Sequence, residues 1–288
     1  MSQSNSNYHD LQSFLYKHKK TGNEYTHNAL GNPPHSYPGS YNIPSDMNDT
    51  FLDLYIEHVF NKKKNCHLTE SHSKYSPILI DLDFRFKGEV KERKYNLDNL
   101  KEFLTYYVKE LEKYIDINEY DTSAYVMEKK KPQHLSKKSI TKDGVHIIFP
   151  YIISDPKLQH VLRHKIVQNQ KCIDIFENLS IINPIEDIFD ACVIEKNGWL
   201  LYGSKKLEGE PYVVTSVLKY ENGEMAEVNN LYDERDMVRL FSIRERTEEE
   251  SAEIKEEMLA KLDIAFEKLP VKHKVKRVNK LKKKRKTN

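Results

Sequence analysis

The first 45 residues show no periodicity: they are polar and broken by Gly31-Asn32-Pro33-Pro34 and Tyr37-Pro38-Gly39, so no regular element is expected there. Apolar residues at helical spacing run from Phe51 to Phe60, and Asn61-Lys62-Lys63-Lys64 ends that segment with solvated charge. Ile78 to Phe84 is a short β-branched and apolar run, read as a strand. Asn96 is placed to cap a helix whose Leu97, Leu100, Phe103, Leu104, Tyr107, Val108, Leu111, Tyr114 and Ile115 form one stripe. Two strands follow, Ser123 to Met127 and Val145 to Ile153, on either side of a Lys-rich loop from Lys129 to Lys142. Asp155 before Pro156 predicts a helix reaching about Phe176. Ile185 to Ile194 reads as a strand, with Asn197-Gly198 turning into a return strand from Trp199 to Tyr202, and Tyr212 to Leu218 as another. Thr247 and Glu250 form a capping box ahead of Ile254, Met258, Leu262 and Phe266, which predicts an amphipathic helix up to Pro270. Strands and helices mixed without strict alternation predict an α+β domain, with two sheet units meeting at a cleft.

Charge changes this picture in one place. Lys and Arg number 46 against 44 Asp and Glu, a net charge of +2. Ten of those cations lie between Val271 and Asn288, where no acidic residue occurs, so the rest of the chain carries −8. A nucleic-acid enzyme with an acidic body must gather positive charge locally, at a groove or a tail. The expected organisation is a polar segment over 1–45, a core over 46–240, a capped amphipathic helical segment over 241–270 and a basic tail or linker over 271–288. Cys66, Cys172 and Cys192 are too few and too widely spaced for a disulfide framework, which points to a reducing, intracellular setting. No run of about 18 apolar residues occurs, so a soluble protein without a membrane partner is expected.

Asp81-Leu82-Asp83 sets two carboxylates at i and i+2 directly after an apolar run. Alternate side chains of a strand share a face, so both project together with Cα atoms about 6–7 Å apart. That suits a pair of hard divalent cations roughly 3.5–4 Å apart, the arrangement used for in-line phosphoryl transfer. A strand ending in acidic residues on its solvent face gives the same pattern, so the pair alone decides nothing. Lys142, Gly144 and His146 share the face opposite Val145, Ile147 and Phe149, and can offer a cation, an unhindered backbone and an imidazole to a triphosphate. Asp190, within an apolar run, is costly to bury unless paired or metal-bound, which makes it the natural third carboxylate. Lys196 and Asn197, then Ser204, Lys205 and Lys206, can cluster donors for phosphates. Weaker candidates are zinc ligation by Cys66, His67, His72 and Cys172, whose spacing matches no familiar knuckle, and a template track along Lys129, Lys130, Lys131, Lys137 and Lys138 beside Tyr125.

The order of these motifs, Asp-x-Asp after an apolar strand, then small-x-His entering another, then a later acidic residue, resembles the archaeo-eukaryotic primase superfamily. The third segment is similar to the branch that holds primase-polymerases and the primases of large nucleocytoplasmic DNA viruses, where an acidic residue is followed by Val, Asn and Ser-x-Lys; here these are Asp190, Val193, Asn197, Ser204 and Lys206. Gly144 stands where serine is frequent in that branch, and Gly198-Trp199-Leu200-Leu201 replaces arginines that often follow the Asn. The resemblance implies a primase-type core of two sheet-containing units, one RRM-like, across an active-site cleft. It implies that Asp81, Asp83 and Asp190 bind Mg²⁺ or Mn²⁺ in a two-metal site. It further implies that Lys142, Gly144, His146, Asn197, Ser204 and Lys206 contact the incoming nucleotide. The implied function is a DNA primase that uses nucleoside triphosphates on a single-stranded DNA template. It would sit in the N-terminal part of a viral primase–helicase, with a helicase domain C-terminal to this chain and a location in the host cytoplasm, at a viral factory, or in the nucleus.

Two other classes use the same residues differently. A metal-dependent nuclease needs the carboxylates but has no pyrophosphate for Lys142, His146 and Lys206 to hold. A non-enzymatic nucleic-acid-binding module would rely on residues 271–288 instead.

Overall fold

The computed structural model describes residues 8–31, 38–229 and 233–270; the basic stretch from 271 onward lies outside them. Helix α1 (Leu11–Lys17) is followed by strands β1 (His27–Ala29) and β2 (Gly39–Tyr41), helix α2 (Asn48–Ile56) and strand β3 (Leu68–Glu70). Strand β4 (Ser76–Lys87) and helix α3 (Leu97–Leu111) come next, then β5 (Ala124–Glu128), β6 (Gln133–Leu135) and the long β7 (Ile140–Ser154). Helices α4 (Pro156–Val167), α5 (Gln170–Glu177), α6 (Ile185–Ile188) and α7 (Cys192–Glu195) precede β8 (Trp199–Leu200), β9 (Val213–Glu221) and β10 (Glu224–Glu227). Helices α8 (Glu234–Leu240) and α9 (Glu256–Glu267) close the described chain.

These elements make a mixed α+β structure with two antiparallel sheets. The larger runs β10-β9-β5-β7-β4, with β6 also paired to β7; the smaller runs β2-β1-β3-β8. The strict alternation of β4 and β7 gives each of them two different faces. Ile80, Leu82, Phe84, Val145, Ile147 and Phe149 pack against Leu100, Phe103, Leu104 and Tyr107 of α3 in one core. Leu79 and Ile148 face the other way, into a second core with Phe51 and Tyr55 of α2, Trp199 of the small sheet and Phe241. Asp81, Asp83, Gly144 and His146 continue that second face by the period-2 rule, so they lie where the small sheet meets the large one.

Local chemistry explains most element boundaries. Asn96 caps α3 in a reciprocal box with Asn99, and Asp155 caps α4 ahead of Pro156. Pro150 has no amide for the ladder, and the register of β7 against β4 shifts where Pro77 pairs with Ile153 and Ile78 with Phe149.

Several sequence expectations differ from the structure. The single helix expected from 155 to about 176 is two, because the Asn169 side chain caps Lys171 and starts α5 afresh. The strand expected over 185–194 is two short helical turns, α6 and α7, joined by an extended stretch with one bridge between Phe189 and Leu82. The return strand after Asn197-Gly198 exists as β8 but pairs with β3, so there is no hairpin. Glu250 does accept the Thr247 amide at 2.8 Å, yet it closes a turn, and the last helix starts at Glu256. The N-terminal segment is not structureless: α1 buries Leu11, Phe14 and Leu15 in the second core, and β1 and β2 form the edge of the small sheet. The break expected from Gly31-Asn32-Pro33-Pro34 and Tyr37-Pro38-Gly39 falls largely on residues 32–37, which lie outside the described residues. No described helix is long and apolar enough to cross a membrane.

A buried carboxylate ties the small sheet to the chain after α8. Glu70 is fully buried; it accepts the Ser242 hydroxyl at 2.7 Å and the Ile243 amide at 2.9 Å, and lies 3.6 Å from His27 Nε2, in ion-pair range. Burial pushes the Glu70 carboxyl up, but His27, the Ile243 amide and the Ser242 hydroxyl outweigh it and hold the group below its ordinary range. Removing one partner leaves the others buried and unpaired, so Glu70→Ala is expected to cost roughly 3–5 kcal/mol in urea unfolding at neutral pH. The wild-type advantage should be complete above the ordinary carboxylate range and shrink as pH falls through the depressed folded value, because a group with a lowered folded pKa loses its contribution on protonation.

Candidate active site

The β4–β7 ladder fixes the centre of the site. Asp81 pairs with His146, Asp83 with Gly144 and Arg85 with Lys142, so carboxylates and motif residues face one another across adjacent strands on one sheet face. Asp190 arrives from elsewhere in the chain: its amide donates to the Asp81 carbonyl at 3.0 Å, and Phe189 bridges to Leu82. This contact lies along the outer edge of β4, the last strand of the large sheet. The same edge is covered further along by Asn183, whose side chain donates to the Asp83 carbonyl at 2.8 Å and accepts the Arg85 amide at 2.9 Å. A segment of turns thus does the work expected of a strand. It closes the edge and sets Asp190 beside Asp81.

A buried arginine holds that segment. Arg163 of α4 donates through Nε to the Phe189 carbonyl at 3.0 Å and through Nη2 to the Glu186 carbonyl, while Asp190 Oδ1 accepts the Cys192 amide at 2.8 Å. Three carboxylates are thereby neighbours. Burial pushes the Asp81 carboxyl well above the carboxylate range, the charges of Asp83 and Asp190 push it further, and Lys206 and Lys129 pull it back. Asp81 Oδ1 is buried without a hydrogen-bond partner, although His146 Nε2 is 3.7 Å away. No group of three His, Cys, Asp or Glu side chains among the described residues is placed to hold a metal ion as it stands. An orphaned carboxylate oxygen beside two further carboxylates is a donor set that suits a hard divalent cation.

His146 is fixed by its faces. Its ring centroid is 3.7 Å from Tyr212 in a stacked pair and 4.5 Å from Trp199, and Lys129 Nζ sits 4.8 Å from the Tyr212 centroid. Burial, then the charges of Lys206 and Lys129, drive the imidazole well below its ordinary range, so it is neutral. Lys129 is lowered by burial and by Lys206. Tyr212 is raised by burial, then by Asp81 and Asp83.

Of the other expected residues, Lys206 reaches the carboxylates electrostatically, and Lys142 lies on the shared face without an ion pair. Ser204 is buried, and its hydroxyl bonds Tyr55 Oη at 2.8 Å and the Leu68 amide at 3.2 Å. It therefore anchors the loop that carries Lys206. Asn197 is exposed at the turn after α7 and makes no side-chain contact with the carboxylates; its carbonyl accepts from His72 Nε2 at 3.0 Å. The zinc candidates are apart: Cys66 and Cys172 belong to different cores, and His67 Nδ1 bonds the Lys205 carbonyl at 2.7 Å.

Lys129, Tyr212, Trp199 and Arg163 were not placed here by motif reading. Lys129 was legible through alternation, since Tyr125 and Met127 of β5 face the second core and Lys129 continues their face. Beside it a groove of about 580 Å³ is lined by Lys91, Lys129, Lys131, His134, Glu208 and Glu210, among others.

The structure also explains the glycine at 144. A Cβ there would lie 2.9 Å from the Leu82 carbonyl, 3.3 Å from the Tyr212 hydroxyl and 3.4 Å from Asp83 Oδ1. Backbone cannot give way as a flexible side chain can, so Gly144→Ser is expected to destabilise by about 1–3 kcal/mol in denaturant unfolding. The paired variant Gly144→Ser/Tyr212→Phe should recover only part of that loss, because the Leu82 carbonyl remains.

Residues 34–218 match the family described as "C962R protein N-terminal AEP domain", AEP denoting archaeo-eukaryotic primase. A protein of Acanthamoeba polyphaga mimivirus named "Putative helicase L207/L206" is 35% identical over 213 residues, which is 73% of this chain and 22% of that protein. The chain thus spans about a fifth of the length of the curated relative it matches.

Proposed function

The chain belongs to the archaeo-eukaryotic primase domain family of the C962R protein N-terminal type, and from that premise we propose that it is a templated nucleotidyltransferase, building a strand from nucleoside triphosphates on single-stranded DNA. The observation that carries this reading is the set of three neighbouring carboxylates around an unsatisfied Asp81 oxygen, flanked by lysines that make no ion pair. Mg²⁺ or Mn²⁺, held by Asp81, Asp83 and Asp190, would neutralise charge at the reacting phosphates and favour the attacking hydroxyl.

The chain's own residues do the rest. Lys206, Lys129 and Lys142 offer positive charge to a triphosphate; Lys206 and Lys129 already act on Asp81 at a distance, and none of the three forms an ion pair among the described residues. Gly144 lets Asp83, Tyr212 and the Leu82 carbonyl pack closely against β7, where a side chain would push them apart. His146, neutral and clamped by aromatic rings, can donate a hydrogen bond to a phosphate oxygen without moving. Asn197, exposed at the turn after α7, is assigned to the nucleotide by the family resemblance alone. Arg163 acts through Asp190. The lysine cluster favours transfer over hydrolysis, because a nuclease has no polyphosphate to hold.

The mimivirus relative's name and greater length support a wider arrangement, in which this domain works with a helicase in viral DNA replication. Single-stranded DNA and nucleoside triphosphates are the partners this reading requires.

The test is primer extension on a single-stranded template with Mn²⁺. Asp81→Asn, Asp83→Asn and Asp190→Asn are each expected to lower the rate by at least about 1,000-fold, the order reached when an essential electrostatic group is removed. Asp81→Asn should melt no lower than wild type, because burial and two like charges already disfavour the ionised carboxylate that the substitution replaces with a neutral amide. Synthesis retained in Asp83→Asn contradicts the assignment.

A further inference from the structure

Arg85 is the next outward-facing residue of β4 after Asp81 and Asp83, and lies directly opposite Lys142 on β7. Six arginines among the described residues are buried or half-buried: Arg85, Arg93, Arg163, Arg239, Arg244 and Arg246. Five of them have side-chain work in the fold. Arg93 pairs with Glu128 and Asp143, Arg239 with Asp49 and Asp53, and Arg163, Arg244 and Arg246 bind backbone carbonyls. Arg85 alone among these has no side-chain hydrogen bond or ion pair, and its Nε is buried without a partner. A guanidinium is costly to desolvate, so leaving one half-buried and unpaired is unfavourable unless a ligand completes it.

Its backbone is held on both sides. The Arg85 amide donates to Asn183 Oδ1 at 2.9 Å and its carbonyl accepts the Ile182 amide at 2.8 Å, while the strand pairs with β7 on the inner edge. The side chain therefore projects from a rigid point, one two-residue step of about 6–7 Å beyond Asp83. Lys142 opposite it makes no ion pair either, so two cations share this end of the face with no carboxylate bonded to them. Such a pair matches a terminal phosphate, to which a guanidinium can donate two parallel hydrogen bonds and an ammonium a third.

We propose that Arg85, with Lys142, holds the terminal phosphate of the incoming nucleoside triphosphate and makes the site select a triphosphate over a diphosphate. The inference rests on the reading of the three carboxylates as the site of nucleotidyl transfer. With the reacting phosphate at Asp81, Asp83 and Asp190, the rest of the polyphosphate extends along the strand direction to Arg85. The enclosed position of Nε suits the end of a ligand better than a nucleic-acid strand that must pass through.

The experiment is a binding titration with Mn²⁺, using inorganic tripolyphosphate, pyrophosphate, a non-hydrolysable nucleoside triphosphate analogue and a single-stranded oligonucleotide as probes. Arg85→Gln is expected to weaken tripolyphosphate and triphosphate binding about 10- to 100-fold, the range for hydrogen bonds to a charged group, and to change pyrophosphate and oligonucleotide binding less than about twofold. Arg85→Lys should recover part of the loss, and Arg85→Gln with Lys142→Gln should lose less than the two single changes predict together, because they share one phosphate. An unaltered melting transition in Arg85→Lys keeps the comparison valid if Arg85→Gln folds poorly. Equal triphosphate binding by wild type and both Arg85 variants overturns the inference, as does a loss confined to oligonucleotide binding with a shallower salt dependence. Failure of the wild type itself to bind any triphosphate with Mn²⁺ overturns the underlying reading instead.

Discussion

The antiparallel ladder between β4 and β7 is the constraint on which the site depends. Its register decides which side chains meet, because a slip of one residue would turn Asp81 and Asp83 into the core and Leu82 out of it. Two large cores hold that register from both sides, one through Leu82, Phe84 and Val145, the other through Leu79 and Ile148. The site is the part of the second face that the second core leaves uncovered. Burial and reactivity therefore belong to one strand pattern, and the charges at its end are tolerated because apolar neighbours over-determine their position.

Electrostatics sets the character of the place. Burial and like charge disfavour the ionised form of Asp81, and burial with two nearby lysines disfavours the protonated form of His146. Elsewhere buried charges have partners, as with Glu70, which accepts from Ser242 and the Ile243 amide, or Arg93 with Glu128 and Asp143. The contrast within one molecule supports the charged ligand proposed for this face. Positioning residues extend the site outward. Arg163 holds the Asp190 segment through the carbonyls of Glu186 and Phe189 as well as by charge, and Ser204 pins the loop that carries Lys206.

Much of this was legible in the sequence because period-2 alternation is local. The strands around Asp81 and His146 and the helix capped by Asn96 formed where apolar spacing placed them, and the family resemblance was carried by those same residues. The segment from 185 to 194 was misread because its apolar residues, Ile185, Ile188 and Phe189, pack into a core as helical turns along a sheet edge, and a short apolar run does not distinguish the two. The N-terminal elements were missed since three-residue strands and a seven-residue helix carry too little pattern to stand above their polar neighbours. The roles of Arg85, Tyr212 and Arg163 depend on what lies beside them in space. Nothing in their own neighbourhoods along the chain marks them.

The central claim is that Asp81, Asp83 and Asp190 act as one cation-binding group. Titration of Mn²⁺ followed by electron paramagnetic resonance, with wild type and Asp190→Asn compared in the presence of a non-hydrolysable triphosphate, addresses it most directly. The account predicts saturable Mn²⁺ binding in the wild type that weakens at least about tenfold in the variant, in line with loss of one charged ligand. Mn²⁺ binding of equal strength in both proteins would show that Asp190 lies beside the other two carboxylates without acting with them.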